Sequence, residues 1–194
     1  MKLKTFLLAF SLCVSGVAHA QDEDDNHSGS IVPGVRVGKV RLGQTRAAAR
    51  AAMNGKPDAT FSLPRGYSSD LWKWIPGDSQ EDCSLETLYL GGRVVQIEVL
   101  SPQFTMQGVE DVNLTSDWVT GLGRPTRIST YAYNRARKGT SRQKYYDWTS
   151  RGVALETWPA RGTDGISSDD LHTTIVHRKG VRIIADFDGK PVSR

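Results

Sequence analysis

Residues 38–60, GKVRLGQTRAAARAAMNGKPDAT, read in succession as strand, helix start, helix and helix stop, and this order sets the expected fold class. Val35 and Val37 alternate with Arg36, and Val40 and Leu42 alternate with Arg41, the period of a half-buried strand. The phase slips at Gly38-Lys39, which predicts a bulge. Gly43 ends the strand. Thr45 is placed to N-cap a helix with its hydroxyl, and the alanine-rich run to Met53 has high helix propensity. Gly55 supplies a left-handed position after the helix, and Pro57 forbids continuation. The apolar stripe consists of Ala48, Ala49, Ala52 and Met53, a thin face that must lie close against a sheet.

A second helix stop follows. GKPDATF at 55–61 is answered by GRPTRIS at 123–129, 68 positions on, and LTSDWVTGL before it carries Val119 and Leu122 at helical spacing. Each stop is followed by a polar stretch with aromatics, a strand-like run, a glycine turn and another strand, which reads as an internal repeat. The expectation is α+β: two tandem helix-plus-antiparallel-sheet units in one domain, 32–105 and 106–190.

The string VRLGQTRAAARAAMNGKPD, residues 40–58, resembles the pattern of BamE/SmpA-type outer-membrane assembly lipoproteins and of the tandem-repeat β-lactamase inhibitor proteins. In both, a Leu-Gly-x-Thr opening leads into a short helix closed by Gly-x-Pro. The resemblance implies small α+β units, doubled in the inhibitors, and a role as inhibitor or assembly factor. Three departures stand out: Ala49 and Met53 replace larger aliphatics, the second unit lacks the Leu-Gly-x-Thr opening, and the inhibitors' paired cysteines are missing.

Residues 1–20, MKLKTFLLAFSLCVSGVAHA, have a basic start, an apolar middle too short to span a bilayer and a small-x-small end at Ala18-His19-Ala20, the grammar of a secretory signal. No later stretch is apolar enough to be a membrane span, so a periplasmic or secreted protein is expected. Loss of Lys2 and Lys4 lowers the formal net charge from +4 to +2, a balance that argues against a nucleic-acid binder. Cys83 is then the one cysteine left, so it is either buried and inert or paired between chains. Residues 21–31, QDEDDNHSGSI, read as a disordered acidic leader.

Within the first unit, Leu71, Trp72, Trp74 and Ile75 suggest a strand with both tryptophans on one face. CSLETLYL, Gly91-Gly92 and RVVQIEVL give a strong hairpin signal, because Gly-Gly provides the positive φ angles of a tight turn. Leu85, Thr87 and Tyr89 should share a face, as should Val95, Ile97 and Val99. In the second unit YYDWT turns at Ser150-Arg151-Gly152 into VALETW, after a basic connection at 135–144. A last pair, LHTTIVHR and VRIIADF, is expected to complete the sheet.

No nucleotide, metal or hydrolase signature is present, and no cofactor is expected. His172 and His177 are five apart and would face opposite sides of a strand. The acidic run at 164–170 lacks the spacing of a calcium loop. What remains is aromatic and basic material near the hairpins, residue types that anchor protein interfaces. The candidate partner-binding residues are Trp72, Trp74, Tyr146 and Trp148 with Arg135, Arg137, Lys138, Arg142 and Lys144, the Tyr146/Trp148 face being taken as exposed. The expected function is a non-enzymatic exported interaction module with an envelope or secreted protein as partner. The alternatives are a module for an anionic envelope polymer bound through the basic loop, and a hydrolase.

Overall fold

The computed structural model describes residues 28–75, 82–133, 141–158 and 171–183. The chain opens with β1 (Gly29–Val32), β2 (Arg36–Val37) and β3 (Val40–Arg41), then α1 (Arg46–Ala52). A meander follows: β4 (Ala59–Ser62), β5 (Tyr67–Trp74), β6 (Cys83–Leu90) and β7 (Arg93–Leu100). After β8 (Phe104–Met106) and α2 (Thr115–Leu122) comes a second meander, β9 (Arg127–Tyr133), β10 (Ser141–Trp148), β11 (Val153–Trp158) and β12 (Leu171–His177).

The two expected tandem helix-plus-sheet units do not form. The described chain is mostly β, with one sheet ordered β4-β5-β6-β7-β12-β11-β10-β9 and another ordered β3-β2-β1-β8. Strand pairing is the physical reason. Glu98 of β7 lies opposite Ile175 of β12, so the two meanders fuse into one continuous antiparallel sheet rather than closing as separate bodies. The second sheet joins the N-terminal arm to β8 in parallel, Ser30 opposite Thr105. The helices contribute only seven and eight residues.

Local chemistry explains the elements that the sequence places well. Thr45 Oγ1 accepts the Ala48 N–H at 3.3 Å, the N-cap. The helix ends at Ala52; Asn54 takes the left-handed conformation with φ +56°, while Gly55 stands at φ +139°, where a side chain is strained. Gly38-Lys39 is the tight turn of the β2–β3 hairpin, Val37 opposite Val40, and not a bulge. The bulge lies in β7: Tyr89 pairs with Val94 and Leu88 with Gln96, which leaves Val95 as the extra residue. Val94 therefore joins Ile97 and Val99 on one face, in place of Val95. Residues 29–31, expected in the leader, belong to β1.

One face of the large sheet, the inner face, buries Trp72, Leu85, Tyr89, Val94, Ile97, Val99, Trp148, Val153, Leu155 and Val176 against Ala49 of α1 and Met53 at its C-cap, Trp118 and Leu122 of α2, and the small sheet. Small residues allow the layers to close. A Cβ on Gly121 of α2 would lie 1.6 Å from the Gly108 carbonyl oxygen, so the helix approaches the preceding loop at a distance only glycine permits. The reverse face carries Glu86, Glu98, Glu156, Tyr145 and Ile175, as the register requires. Cys83 is buried, the inert alternative of the two. No helix among the described residues is long and apolar enough to cross a membrane.

The expected pairing of LHTTIVHR with VRIIADF does not occur. Both edges of β12 beside the Lys179-Gly180 turn are occupied, by β7 and β11, so residues 181–183 do not pair with it, and residues 184–187 lie outside the described residues.

Candidate functional site

The sequence-derived partner residues divide sharply. Trp72 is 4 % exposed and Trp148 2 %, so both are core. Trp148 stacks on Trp118 of α2, ring centroids 5.5 Å apart, and its Nε1 donates to the Gly123 carbonyl at 2.8 Å. The Tyr146/Trp148 face is thus the inner face and not the solvent face, because α2 packs against it. Trp74 is half-buried, meets Phe104 edge-on and donates from Nε1 to Gln103 Oε1 at 3.0 Å. Tyr146 is half-buried at the margin of the core. Lys144 is exposed, and Arg142 occupies the β10 position opposite Ala132. Arg135, Arg137 and Lys138 lie outside the described residues.

What the structure brings together is the β9–β10 end of the inner face, beyond the cover of α2. Ile128 lies directly opposite Tyr146 and is 58 % exposed, an aliphatic side chain in water on the last described strand of the sheet. Lys144 is opposite Thr130, two residues along, and Arg124 is exposed just before β9. An apolar centre with a cationic margin is the composition of a protein-docking patch. Ile128 escaped sequence reasoning because an isoleucine in a strand-like run is expected to face the core.

The reverse face holds a second unusual group. Glu86 and Glu98 are direct cross-strand partners, an arrangement that is destabilising when both are charged. Gln96 Nε2 donates to Glu98 Oε1 at 2.6 Å, and the Tyr145 hydroxyl donates to Glu156 Oε1 at 2.8 Å. Burial, reinforced by the neighbouring Glu156 and Glu86, pushes the Glu98 carboxyl well above the usual carboxylate range. The Glu86 carboxyl is raised too, by burial, with Ser69 opposing. A raised folded-state value means that the native protein holds a proton the unfolded chain gives up. The associated stability is present at low pH and is lost as pH rises through the folded value. Glu98→Gln should therefore be more stable than wild type above the unfolded glutamate value of about 4.3, with the gap widening as pH rises toward about 1–3 kcal/mol. Urea midpoints across the pH range measure this; parallel profiles for the two proteins would show that Glu98 is ordinarily solvated. The signal was available in sequence, since Glu86 and Glu98 flank Gly91-Gly92, but their opposition also depends on the bulge at Val95.

Two further polar groups are structural. His177 Nε2 stands 3.2 Å from Asp147 Oδ1 with both side chains buried; the separation is that of an ion pair, while the alignment is not that of a hydrogen bond. A shallow cavity of about 310 Å³ beside α2 is lined by Glu110, Asp117 and Thr120. Asp117 Oδ2 there accepts the Asp111 N–H at 3.1 Å and Thr120 donates to the Ser116 carbonyl, contacts that serve the helix itself. Among the described residues no group of His, Cys, Asp and Glu is arranged to hold a metal ion.

No family model matches the chain, and no curated protein matches it. Among solved structures it is similar to a cysteine-rich secretory protein from Staphylococcus aureus subsp. aureus Mu50, at 10 % identity and a TM-score of 0.45. That likeness covers 79 % of this chain and 48 % of the other, so the chain spans about half the length of its neighbour. A likeness of this size assigns neither fold nor function. The expected BamE/SmpA-like or β-lactamase-inhibitor-like membership is overturned: the mostly-β pair of sheets is not a set of tandem α+β units, and neither a family model nor a curated protein matches.

Proposed function

We propose that the chain is an exported, non-enzymatic interaction module of the periplasm or the secreted space, and that it docks a protein partner at the β9–β10 end of its large sheet. The observation that carries this reading is Ile128, 58 % exposed and set beside Tyr146 on the outermost described strand. An aliphatic side chain left in water at the end of a sheet costs about 1 kcal/mol or more in solvation that a partner would recover. The signal-like first 20 residues support export.

The test is capture from envelope extract with the tagged protein lacking residues 1–20. Ile128→Asp should weaken partner binding roughly tenfold or more while leaving stability within about 0.5 kcal/mol, since the side chain is mostly outside the core. A partner retained equally by wild type and Ile128→Asp would overturn the docking site. Exposed Arg124 and Lys144 at the same end favour a second reading, an anionic envelope polymer. The two separate by salt: polymer binding through exposed charges should collapse as the Debye length falls from about 10 Å to about 3 Å, whereas a contact centred on Ile128 should persist.

A further inference from the structure

The β4 end of the large sheet, remote from the β9–β10 end, carries two hairpin tips side by side. The β4–β5 turn is closed by the Leu63 N–H, which donates to the Tyr67 carbonyl at 2.9 Å, and the β6–β7 turn is Gly91-Gly92. Tyr67 lies opposite Leu90, so the tips are neighbours. Apolar side chains project there: Phe61 is 44 % exposed and Leu90 43 %, with Leu63 and Tyr67 half-buried. Phe61 lies opposite Ser69, two residues along β5 from Tyr67, so Phe61 and Leu90 share a face.

Positive charge collects at the same end. Residues 35–67 hold seven lysines and arginines and one acid, Asp58, a surplus larger than the +4 of the whole chain, so the remainder is net acidic. Helix α1 brings part of that charge to the tips: the Arg46 N–H donates to the Gly92 carbonyl at 3.0 Å, Arg46 Nη1 to Ser68 Oγ at 3.5 Å and Arg50 Nη2 to Thr60 Oγ1 at 3.4 Å. Asp70 neutralises only one of these two guanidiniums. Exposed Arg93 opens β7 at the second tip. Arg65, at the first, is exposed and its side chain makes no hydrogen bond or ion pair among the described residues, yet it holds φ +61°, where glycine is unstrained and arginine is not. A strained position kept for a side chain without an intramolecular partner points to a contact outside the molecule.

We propose that the paired β4–β5 and β6–β7 tips dock onto an anionic lipid bilayer, with Phe61 and Leu90 entering the interfacial layer while Arg65, Arg93 and the α1 arginines meet the phosphate headgroups. The combination selects a bilayer among anionic partners. A soluble polyanion engages the cations and leaves Phe61 and Leu90 in water, and an acidic protein would have to be shaped around two projecting tips. A fluid surface needs no such complement: it buries the apolar side chains below the headgroups, and each cation close to it adds to the attraction. Ile128 stands on β9 at the far end of the sheet, so the tips meet the bilayer while the β9–β10 end stays open to a protein.

The test is flotation of the chain from residue 21 with vesicles of phosphatidylcholine alone and of phosphatidylcholine mixed with phosphatidylglycerol. The protein should float with the anionic vesicles and not with the neutral ones, and added salt should weaken the association. Arg65→Gly should lower partitioning about fivefold, the effect of one cation at an anionic surface, without lowering Tm, because glycine adopts the left-handed conformation freely. Leu90→Ser should lower partitioning several-fold, and Ile128→Asp should leave it unchanged. A polarity-sensitive fluorophore on Leu90→Cys should shift its emission to the blue on anionic vesicles, and one on Lys144→Cys should not; Cys83, 1 % exposed, does not compete for the label. No flotation with anionic vesicles, equal flotation with neutral ones, or partitioning unmoved by Arg65→Gly overturns the proposal. Binding of soluble polyphosphate without binding of vesicles makes the partner a polyanion, and the proposal fails. Loss of flotation in Ile128→Asp would place the bilayer at the β9–β10 end and overturn it as well. If Leu90→Ser does not fold, Arg65→Gly and the Leu90 label decide.

Discussion

Asp70→Ala is expected to lower stability by about 2–4 kcal/mol, or roughly 4–16 °C in Tm for a domain of this size. Asp70 sits on the inner face of β5 with a side chain that is 0 % exposed. Its oxygens accept from Arg46 Nη2 at 2.5 Å, Arg46 Nε at 3.0 Å, Arg50 Nε at 2.8 Å and Thr60 Oγ1 at 2.7 Å. The carboxylate thus ties α1 to β5 and to the edge strand β4. Arg46 also lies over the Tyr89 ring, 5.0 Å from its centroid, so losing its anchor loosens a core aromatic as well. The arginine side chains are 30 % and 38 % exposed and can return partly to water, which keeps the cost below that of breaking a wholly buried pair.

The pH dependence of this effect has a definite sign. Burial by itself would raise the Asp70 carboxyl, but the hydrogen bonds from Arg50, Arg46 and Thr60 outweigh it and hold the group below the usual range. A depressed folded-state value contributes stability above the unfolded value of about 3.9 and loses it as pH falls through the folded value. The stability gap between wild type and Asp70→Ala should therefore be full at neutral pH and shrink on acidification below about pH 4. A gap that stays constant to low pH in urea titrations would mean that the guanidinium pairing contributes little.

Trp148→Ala is expected to cost about 3–5 kcal/mol, and to be a folding defect before it is a binding defect. The substitution empties the space against Trp118 and strands the Gly123 carbonyl that Trp148 Nε1 now satisfies. Gly123 closes α2, so the loss reaches the helix end as well as the core. Near-ultraviolet circular dichroism should lose the signal of the coupled indoles, and the denaturant midpoint should fall. Tyr146→Ala, at a half-buried position two residues away, should cost much less. Midpoints equal to wild type for Trp148→Ala would show that the indole is not part of the core.

These contrasts separate two kinds of information. Local signals were legible in the sequence: Thr45 as N-cap, Gly91-Gly92 as the β6–β7 turn, and Trp72 with Trp74 on one strand face. Each depends on a few neighbouring residues, whose φ/ψ preferences and hydrogen-bonding groups act within one turn of chain. Which way a strand faces is another matter. Tyr145 and Tyr146 alternate on β10 and both read as suitable for a core; the choice falls to α2, whose Trp118 arrives from 30 positions upstream to cover Trp148. Strand order is equally non-local, since the β7–β12 pairing that fuses the meanders joins residues nearly 80 positions apart and leaves no mark in either segment's composition. The opposition of Glu86 and Glu98 depends on register, which a single extra residue at Val95 resets. The sequence alone marked those elements whose start or turn rests on local chemistry, such as the Thr45 cap and the Gly91-Gly92 turn; only tertiary packing decided which residues meet, because burial is assigned by whatever distant surface closes over a face, and that surface is not encoded nearby.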